Sequence, residues 1–407
     1  MSVLIFCSFL MGGLLNSYAQ PTFKDSSLKA ELIVEEGLSS PTSMAFIDGN
    51  NILVLEKNSG EVRLVSNGIL QEQPVLKLDV DATTLTCCRG LLGIATLGKE
   101  VFLYLSEAAK DDQPVRNRLY KYQWNDQEHT LVNPQLILDL PATPGPNHPG
   151  GKIAIGKDNY LYTAIGDLNN EGQLQNIQDG PEPNDSSVIL KINPKDGSPA
   201  KDNPFINIAI EGQNQMSKYY AYGIRNTFGL SIDPVTGYLW EAENGDEDYD
   251  EINIVRPGFN SGWKKLMGPI SESEVTEDDL VNFPNSHYSD PVFSWDPSLG
   301  VTDIEFLDSS KLGSRYTNNI FVGDITNGNL YFFELNQTRT ELVFDNPELQ
   351  NDLVADDEEQ LDEITLGTGF GGITDIETGP DGLLYILTLD QESDGKGMIY
   401  RISSRTT

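Results

Sequence analysis

His148, one of three histidines in the chain, stands in the segment Pro146-Asn147-His148-Pro149-Gly150-Gly151. An imidazole titrates near working pH and the small neighbours leave room for a substrate, so the position suits a general base. A loop histidine bonded to a backbone carbonyl is the other reading. Arg225-Asn226 places a fixed cation beside an amide, a pair able to polarise a carbonyl or hold a carboxylate. In so acidic a chain it can equally form a structural salt bridge. The turn from Asn244 through Gly245, Asp246, Glu247, Asp248 and Asp250 to Glu251 packs five carboxylates together. Hard oxygens at that density suit Ca2+, with backbone carbonyls at the Gly turn contributing; a solvated acidic loop is the alternative. The acidic run Asp356-Asp357-Glu358-Glu359 with Asp362-Glu363 reads as a solvated loop, and His129 and His287 read as solvent-facing.

The elements that must position these residues are strands. One short strand recurs around Ser43-Phe46, Leu92-Ala95, Lys152-Ile155, Gly229-Ile232, Thr302-Phe306 and Thr374-Glu377. A turn or short polar link follows each, then a more apolar strand, then a third, with almost no 3.6-residue periodicity anywhere. This sixfold order predicts an all-β fold: a six-bladed β-propeller of four-stranded antiparallel blades, formed by residues 20–407 as one domain. Glu31-Glu36, ahead of the first unit, is expected to close the ring onto the last blade and so protect two sheet edges. In such blades the lead-in to the innermost strand and the link between second and third strands emerge on one face near the axis. His148, Arg225-Asn226, Cys87-Cys88-Arg89, Gly166-Asp167 and the turn at Asn244 all fall in these segments.

Composition narrows the function. Against 27 Lys and Arg stand 62 Asp and Glu, a formal charge of −35, which excludes a nucleic-acid binder and opposes anionic membranes. Hydrophobic residues at 38% supply a core that a disordered acidic chain would lack. Val3 to Leu15 is apolar and is followed by Ser17-Tyr18-Ala19, so residues 1–19 read as a signal peptide, and the protein as secreted or periplasmic without membrane insertion. The apolar run is too short to span roughly 30 Å of hydrocarbon as a helix. The mature chain keeps Cys87 and Cys88, as a vicinal disulfide or as two buried thiols.

Several segments together resemble one family. They are Gly90-Leu91-Leu92-Gly93, Asn147-His148-Pro149-Gly150-Gly151 with Ile165-Gly166-Asp167, Tyr222-Gly223-Ile224-Arg225-Asn226, Glu243-Asn244-Gly245 through Asp250-Glu251-Ile252-Asn253, and Gly258-Phe259-Asn260-Ser261-Gly262-Trp263. In order and context the chain is similar to the soluble quinoprotein glucose/sorbosone dehydrogenases, also called aldose sugar dehydrogenases, over nearly all of its mature length. The resemblance implies that His148 takes the proton of a sugar C1 hydroxyl while hydride passes to pyrroloquinoline quinone. It implies that Arg225 stabilises charge on the reduced quinone oxygen, that Asn226 and Asn244 sit beside the cofactor, and that backbone oxygens of Gly245 and Asp246 bind Ca2+. An external electron acceptor completes the reaction. The chain departs from the family where cations are expected: Thr326 stands at a lysine position, and Gly372 and Thr374 at arginine positions. Arg89 is the candidate substitute, and Cys88 replaces a polar residue beside the cofactor. Two further readings stay open: a non-catalytic, Ca-stabilised extracellular propeller that binds a glycan or a protein, and, ranked last, a metal-dependent hydrolase.

Overall fold

The computed structural model describes residues 20–82, 88–208, 215–390 and 395–405. The fold is an all-β propeller, 45% strand and 7% helix, which excludes an α/β arrangement. The signal peptide expected at residues 1–19 lies outside the described residues, as does Cys87 of the expected disulfide.

The strands group into six sheets, each built on an antiparallel three-strand meander. The second strands are buried along nearly their whole length: Asn51–Glu56, Leu161–Ile165, Leu239–Glu243 and Ile320–Asp324 alternate no polar face with an apolar one. A strand covered on both faces needs no such alternation, and here neighbouring sheets supply both covers. Between the fourth and fifth sheets, Phe333 lies 5.0 Å from Phe293 and meets Trp295 edge-on at 5.8 Å. Each such buried ring contributes about 1.5–3 kcal/mol, which ties sheet to sheet.

The innermost strands touch in a closed cycle: Pro41–Phe46, Leu91–Leu97, Ile153–Ile155, Thr227–Ile232, Val301–Phe306, Gly372–Thr378 and back to the first. Blades nevertheless number five, not the six expected. Five sheets carry a further antiparallel strand, as Thr130–Leu140 on Arg116–Asn125 and Phe293–Trp295 on Asp250–Val255. The sheet of Pro41–Phe46, Asn51–Glu56 and Glu61–Ser66 ends instead in two dipeptides, Ile69–Leu70 and Leu76–Lys77, each paired with one half of Glu61–Ser66. Pro74 lies between them, and a residue without an N–H cannot extend that ladder as one strand.

Ring closure follows the sequence expectation. Leu28–Ser39 pairs antiparallel with Lys396–Ser404, setting Glu31 opposite Arg401. The acidic run near residue 357 differs from the loop expected: Asp357 caps the short helix Glu358–Ile364, accepting from Gln360 N at 2.8 Å. Its first-turn glutamates face the positive end of the helix, where carboxylates are stabilised.

Candidate functional site

Two cavities open where the lead-ins and links converge. The larger, of about 600 Å³, takes lining residues from all six sheets, among them Lys57, Cys88, Gly150, Asn244, Thr326 and Thr374. The smaller, of about 250 Å³, is lined by His148, Asp167, Arg225, Asp246, Trp263 and Lys264 among others. Arg225 on the smaller donates from Nη1 to the carbonyl of Asn244 on the larger at 3.2 Å, so the two share a wall.

His148 sits at φ 56° just before Pro149. Its Nδ1 lies 2.6 Å from Asp167 Oδ1, so its partner is a carboxylate and not a backbone carbonyl. Facing a carboxylate, Nδ1 is the nitrogen that carries the hydrogen, and in the neutral ring Nε2 then keeps its lone pair. Asp167 is 3% exposed, and its orientation is fixed three ways. Trp263 Nε1 donates to Oδ2 at 2.8 Å, Asn169 N donates to Oδ1 at 2.9 Å, and the Asp167 N–H donates to Arg225 O at 2.9 Å. The link before it must be glycine: a Cβ on Gly166 would lie 2.3 Å from Arg225 O and 2.6 Å from His148 O. That close approach brings base and arginine segments together.

The Arg225 guanidinium is buried, donates from Nη2 to Asp246 Oδ1 at 2.7 Å, and stands 5.3 Å from the Trp263 ring centroid. Its backbone N–H donates to Glu243 Oε1 at 2.6 Å, while Ser261 Oγ donates to Oε2 at 2.6 Å. Burial pushes the Glu243 carboxyl up to about 7, against the pull of those two donors. Glu251, its cross-strand partner, and Glu241 are also pushed well above the usual carboxylate range by burial and by the neighbouring Glu243.

On the larger cavity, Asn244 donates from Nδ2 to Val301 O at 2.7 Å. Asn226 is buried, and its Oδ1 accepts from Gly150 N at 3.3 Å, which holds the His148 segment. The side chain of Lys152, buried, donates to Asp303 Oδ2 at 2.8 Å and to Asp375. Burial works against its charge, but Asp303, Asp375 and Glu377 outweigh it and hold the ammonium above the ordinary lysine value.

The sequence pattern of the Glucose / Sorbosone dehydrogenase family matches residues 38–401. The chain belongs to that family. Aldose sugar dehydrogenase YliI of Escherichia coli is 24% identical over 380 residues, covering 92% of each chain. Quinoprotein glucose dehydrogenase B of Acinetobacter calcoaceticus is 27% identical over 265 residues, 59% of this chain and 53% of that one. The PQQ-bound aldose sugar dehydrogenase of Streptomyces coelicolor has a similar fold, with a TM-score of 0.64 at 21% identity, covering 94% of this chain and 100% of that one.

In this family member the expected residues separate into those that gather and those that do not. His148, Arg225, Asp246 and, across the shared wall, Asn244 gather. Arg89 stands apart: Nη1 donates to Asp81 Oδ2 at 2.7 Å and Nη2 to Ala142 O, while its neighbour Cys88 faces the larger cavity. Thr326 and Thr374 line that cavity. Gly372 is crowded by backbone, since a Cβ there would lie 2.9 Å from Ile325 O and 3.1 Å from Leu389 O. The five carboxylates after Asn244 disperse. Asp246, Glu247 and Asp248 face solvent, whereas Asp250 turns inward to accept from Ser298 Oγ and from the N–H groups of Gly245, Leu299, Gly300 and Val301. Among the described residues no three His, Cys, Asp or Glu side chains converge to hold a metal.

Sequence reasoning missed Asp167 as the partner of His148, Trp263 as the donor behind it, and Lys57 on the larger cavity. Asp167 and Lys57 follow the second strands of their sheets, a position that itself signals the converging face. Trp263 lies in a matching segment but carries no such signal.

Proposed function

We propose that the protein is an exported, PQQ-dependent aldose sugar dehydrogenase that oxidises sugars at C1 and passes electrons to an external acceptor. The names of the Escherichia coli and Acinetobacter relatives and the family match support this reading. Export rests on residues 1–19, and among the described residues no helix is long and apolar enough to cross a membrane. In this reading the sheet beginning at Pro41 serves as the sixth unit of the ring, because its inner strand touches both neighbours in the closed cycle.

The larger cavity fits the cofactor. Its volume of about 600 Å³ lies in the usual range for cofactor sites, and Lys57 and the hydroxyls of Thr326 and Thr374 are polar groups in its lining. Calcium would rest on the backbone oxygens of Gly245 and Asp246, since the side chains of that turn disperse. Pyrroloquinoline quinone, when bound, supplies the acceptor for the hydride of sugar C1.

This chain's residues do the rest. His148 Nε2 removes the C1 hydroxyl proton. Asp167 stabilises the resulting imidazolium and holds the ring in the tautomer that can accept. Arg225 keeps a fixed positive charge at the wall between the cavities, where it stabilises developing negative oxygen without reorganising. The smaller cavity, with Asn169, Asn170, Glu171 and Lys264 around His148, suits sugar hydroxyls. Asn226 and Gly150 fix the segment that carries the base.

One observation carries the reading: His148 Nδ1 lies 2.6 Å from a buried carboxylate in a cavity shared with Arg225. A propeller that only binds a partner needs no carboxylate behind its histidine. The test is aldose-dependent dye reduction by the protein supplied with Ca2+ and the quinone. Turnover that His148→Ala abolishes is expected. No turnover with any aldose, or unchanged turnover in the variant, would overturn the reading.

A further inference from the structure

We infer that Phe228, the bulged residue of the fourth inner strand, is the surface on which the conjugated ring system of the quinone packs; the inference rests on the function proposed above.

The inner strands break register at one level. In the first sheet Pro41 faces Glu56 and Met44 faces Val54, so Thr42 and Ser43 stand opposite a single residue. Leu92 in the second sheet, Phe228 in the fourth, Thr302 in the fifth and Thr374 in the sixth are likewise extra residues without a partner on the neighbouring strand. A bulge bends its strand and re-aims a side chain. All six of these residues line the larger cavity.

Their chemistry differs. Thr42 Oγ1 donates to Leu91 O at 2.9 Å and Thr302 Oγ1 to Ile373 O at 2.8 Å, so these hydroxyls tie one inner strand to the next. Phe228 has no group for such a tie, and among the described residues its ring stacks on no other aromatic side chain. The strand is nevertheless fixed on both sides of it. Thr227 is buried and its Oγ1 donates to Glu241 Oε2 at 2.6 Å, while Gly229 lies so close to the fifth inner strand that a Cβ would come 2.7 Å from Ile304 N. Between these anchors Phe228 is 41% exposed. The other large apolar residues that stand exposed, Ile69, Leu136, Val235 and Val343, do not line this cavity.

A phenyl ring left open on a fixed strand is apolar area that a bound molecule can remove from water. Sugar hydroxyls suit the smaller cavity beside His148, which Phe228 does not line. The fused rings of the quinone are planar and conjugated, and present a face of the kind on which aromatic side chains stack. Packed there, they leave the carboxylates and quinone oxygens to the polar groups of the wall.

The test uses the full chain with Ca2+ present, before and after quinone is added. With phenylalanine replaced throughout by its para-fluoro analogue, the fluorine NMR signal missing from Phe228→Leu identifies position 228. That signal should shift when quinone binds, through the ring current of the stacked cofactor, and should show a nuclear Overhauser effect to the quinone's ring protons. By equilibrium dialysis Phe228→Ala should weaken quinone binding about tenfold, from lost stacking and lost apolar cover. Phe228→Tyr keeps the ring and should bind nearly as wild type. Thermal midpoints of these variants should stay close to wild type, because the side chain is open to solvent. Phe228→Ala that binds quinone as tightly as wild type overturns the inference alone. So does a position-228 signal that saturating quinone leaves unmoved, or that glucose moves in quinone-free protein. A wild-type protein that binds no quinone overturns the function as well.

Discussion

Trp263 Nε1 donates to Asp167 Oδ2 at 2.8 Å while the face of the same indole stands 5.3 Å from the Arg225 guanidinium. One side chain thus supports both the carboxylate behind the base and the fixed cation. Trp263→Phe keeps a ring beside Arg225 and removes only the N–H. Leaving a buried carboxylate oxygen short of a donor costs about 1–3 kcal/mol. The expected result is a fall in kcat of roughly tenfold or more, with little change in sugar KM, measured by steady-state kinetics.

Asp167→Asn keeps the shape of the pair and changes its chemistry. An amide that presents its NH2 to Nδ1 reverses the tautomer, and Nε2 then carries a hydrogen where it must accept one. A loss of about 10³-fold or more in kcat is expected, with the thermal midpoint changing little.

Glu243 gives a pH signature in stability. Its folded-state value, raised by burial to about 7, exceeds the ordinary carboxyl value of 4.5, so the folded state holds a proton that the unfolded chain has lost. The contribution of Glu243 to stability should therefore fall as pH rises from 4.5 to 7 and then level off, by an amount on the order of a few kcal/mol. Glu243→Gln retains an acceptor for Arg225 N, and its stability should be flatter over that window. Urea unfolding at several pH values measures the slope. Equal slopes in both proteins would contradict the burial of an ionising group there.

Ring closure should respond to acid in the opposite sense. Hydrogen bonds from Lys29 and Arg401 hold the Glu31 carboxyl down at about 2. Its contribution is present above pH 4.5 and lost as pH falls from 4.5 through 2. Because the pair is partly exposed, Glu31→Gln should cost about 1 kcal/mol or less at neutral pH, and the difference from wild type should vanish in strong acid. Thermal melts across that range check it.

The fold was legible because strand and turn recur with a regular order that local chemistry enforces, and the closing strand was legible from the open edges a ring must remove. The blade count was not. Pro74 splits the outer edge of one sheet, and the outer strand of a blade carries the weakest pattern because one face meets solvent. His148, Arg225 and Asn244 could be placed because lead-ins and links converge by topology. Arg89 is held by its bonds to Asp81 and Ala142 while its neighbour Cys88 lines the cavity, a division that position in the sequence does not show. The carboxylates after Asn244 separate because Asp246, Glu247 and Asp248 lie on an exposed turn while Asp250 is drawn inward by backbone N–H groups, which spacing alone does not show. The pairing of Asp167 with His148 depends on Gly166 threading between two backbones, a contact invisible in one dimension.

The most direct measurement is the single-turnover rate at which glucose reduces enzyme preloaded with quinone and Ca2+, compared between wild type and His148→Ala at equal cofactor occupancy. Loss of the general base should slow that step by about 10²–10⁴-fold while leaving quinone bound. An undiminished rate in the variant would contradict the role of His148, and with it the chemistry assigned to the site.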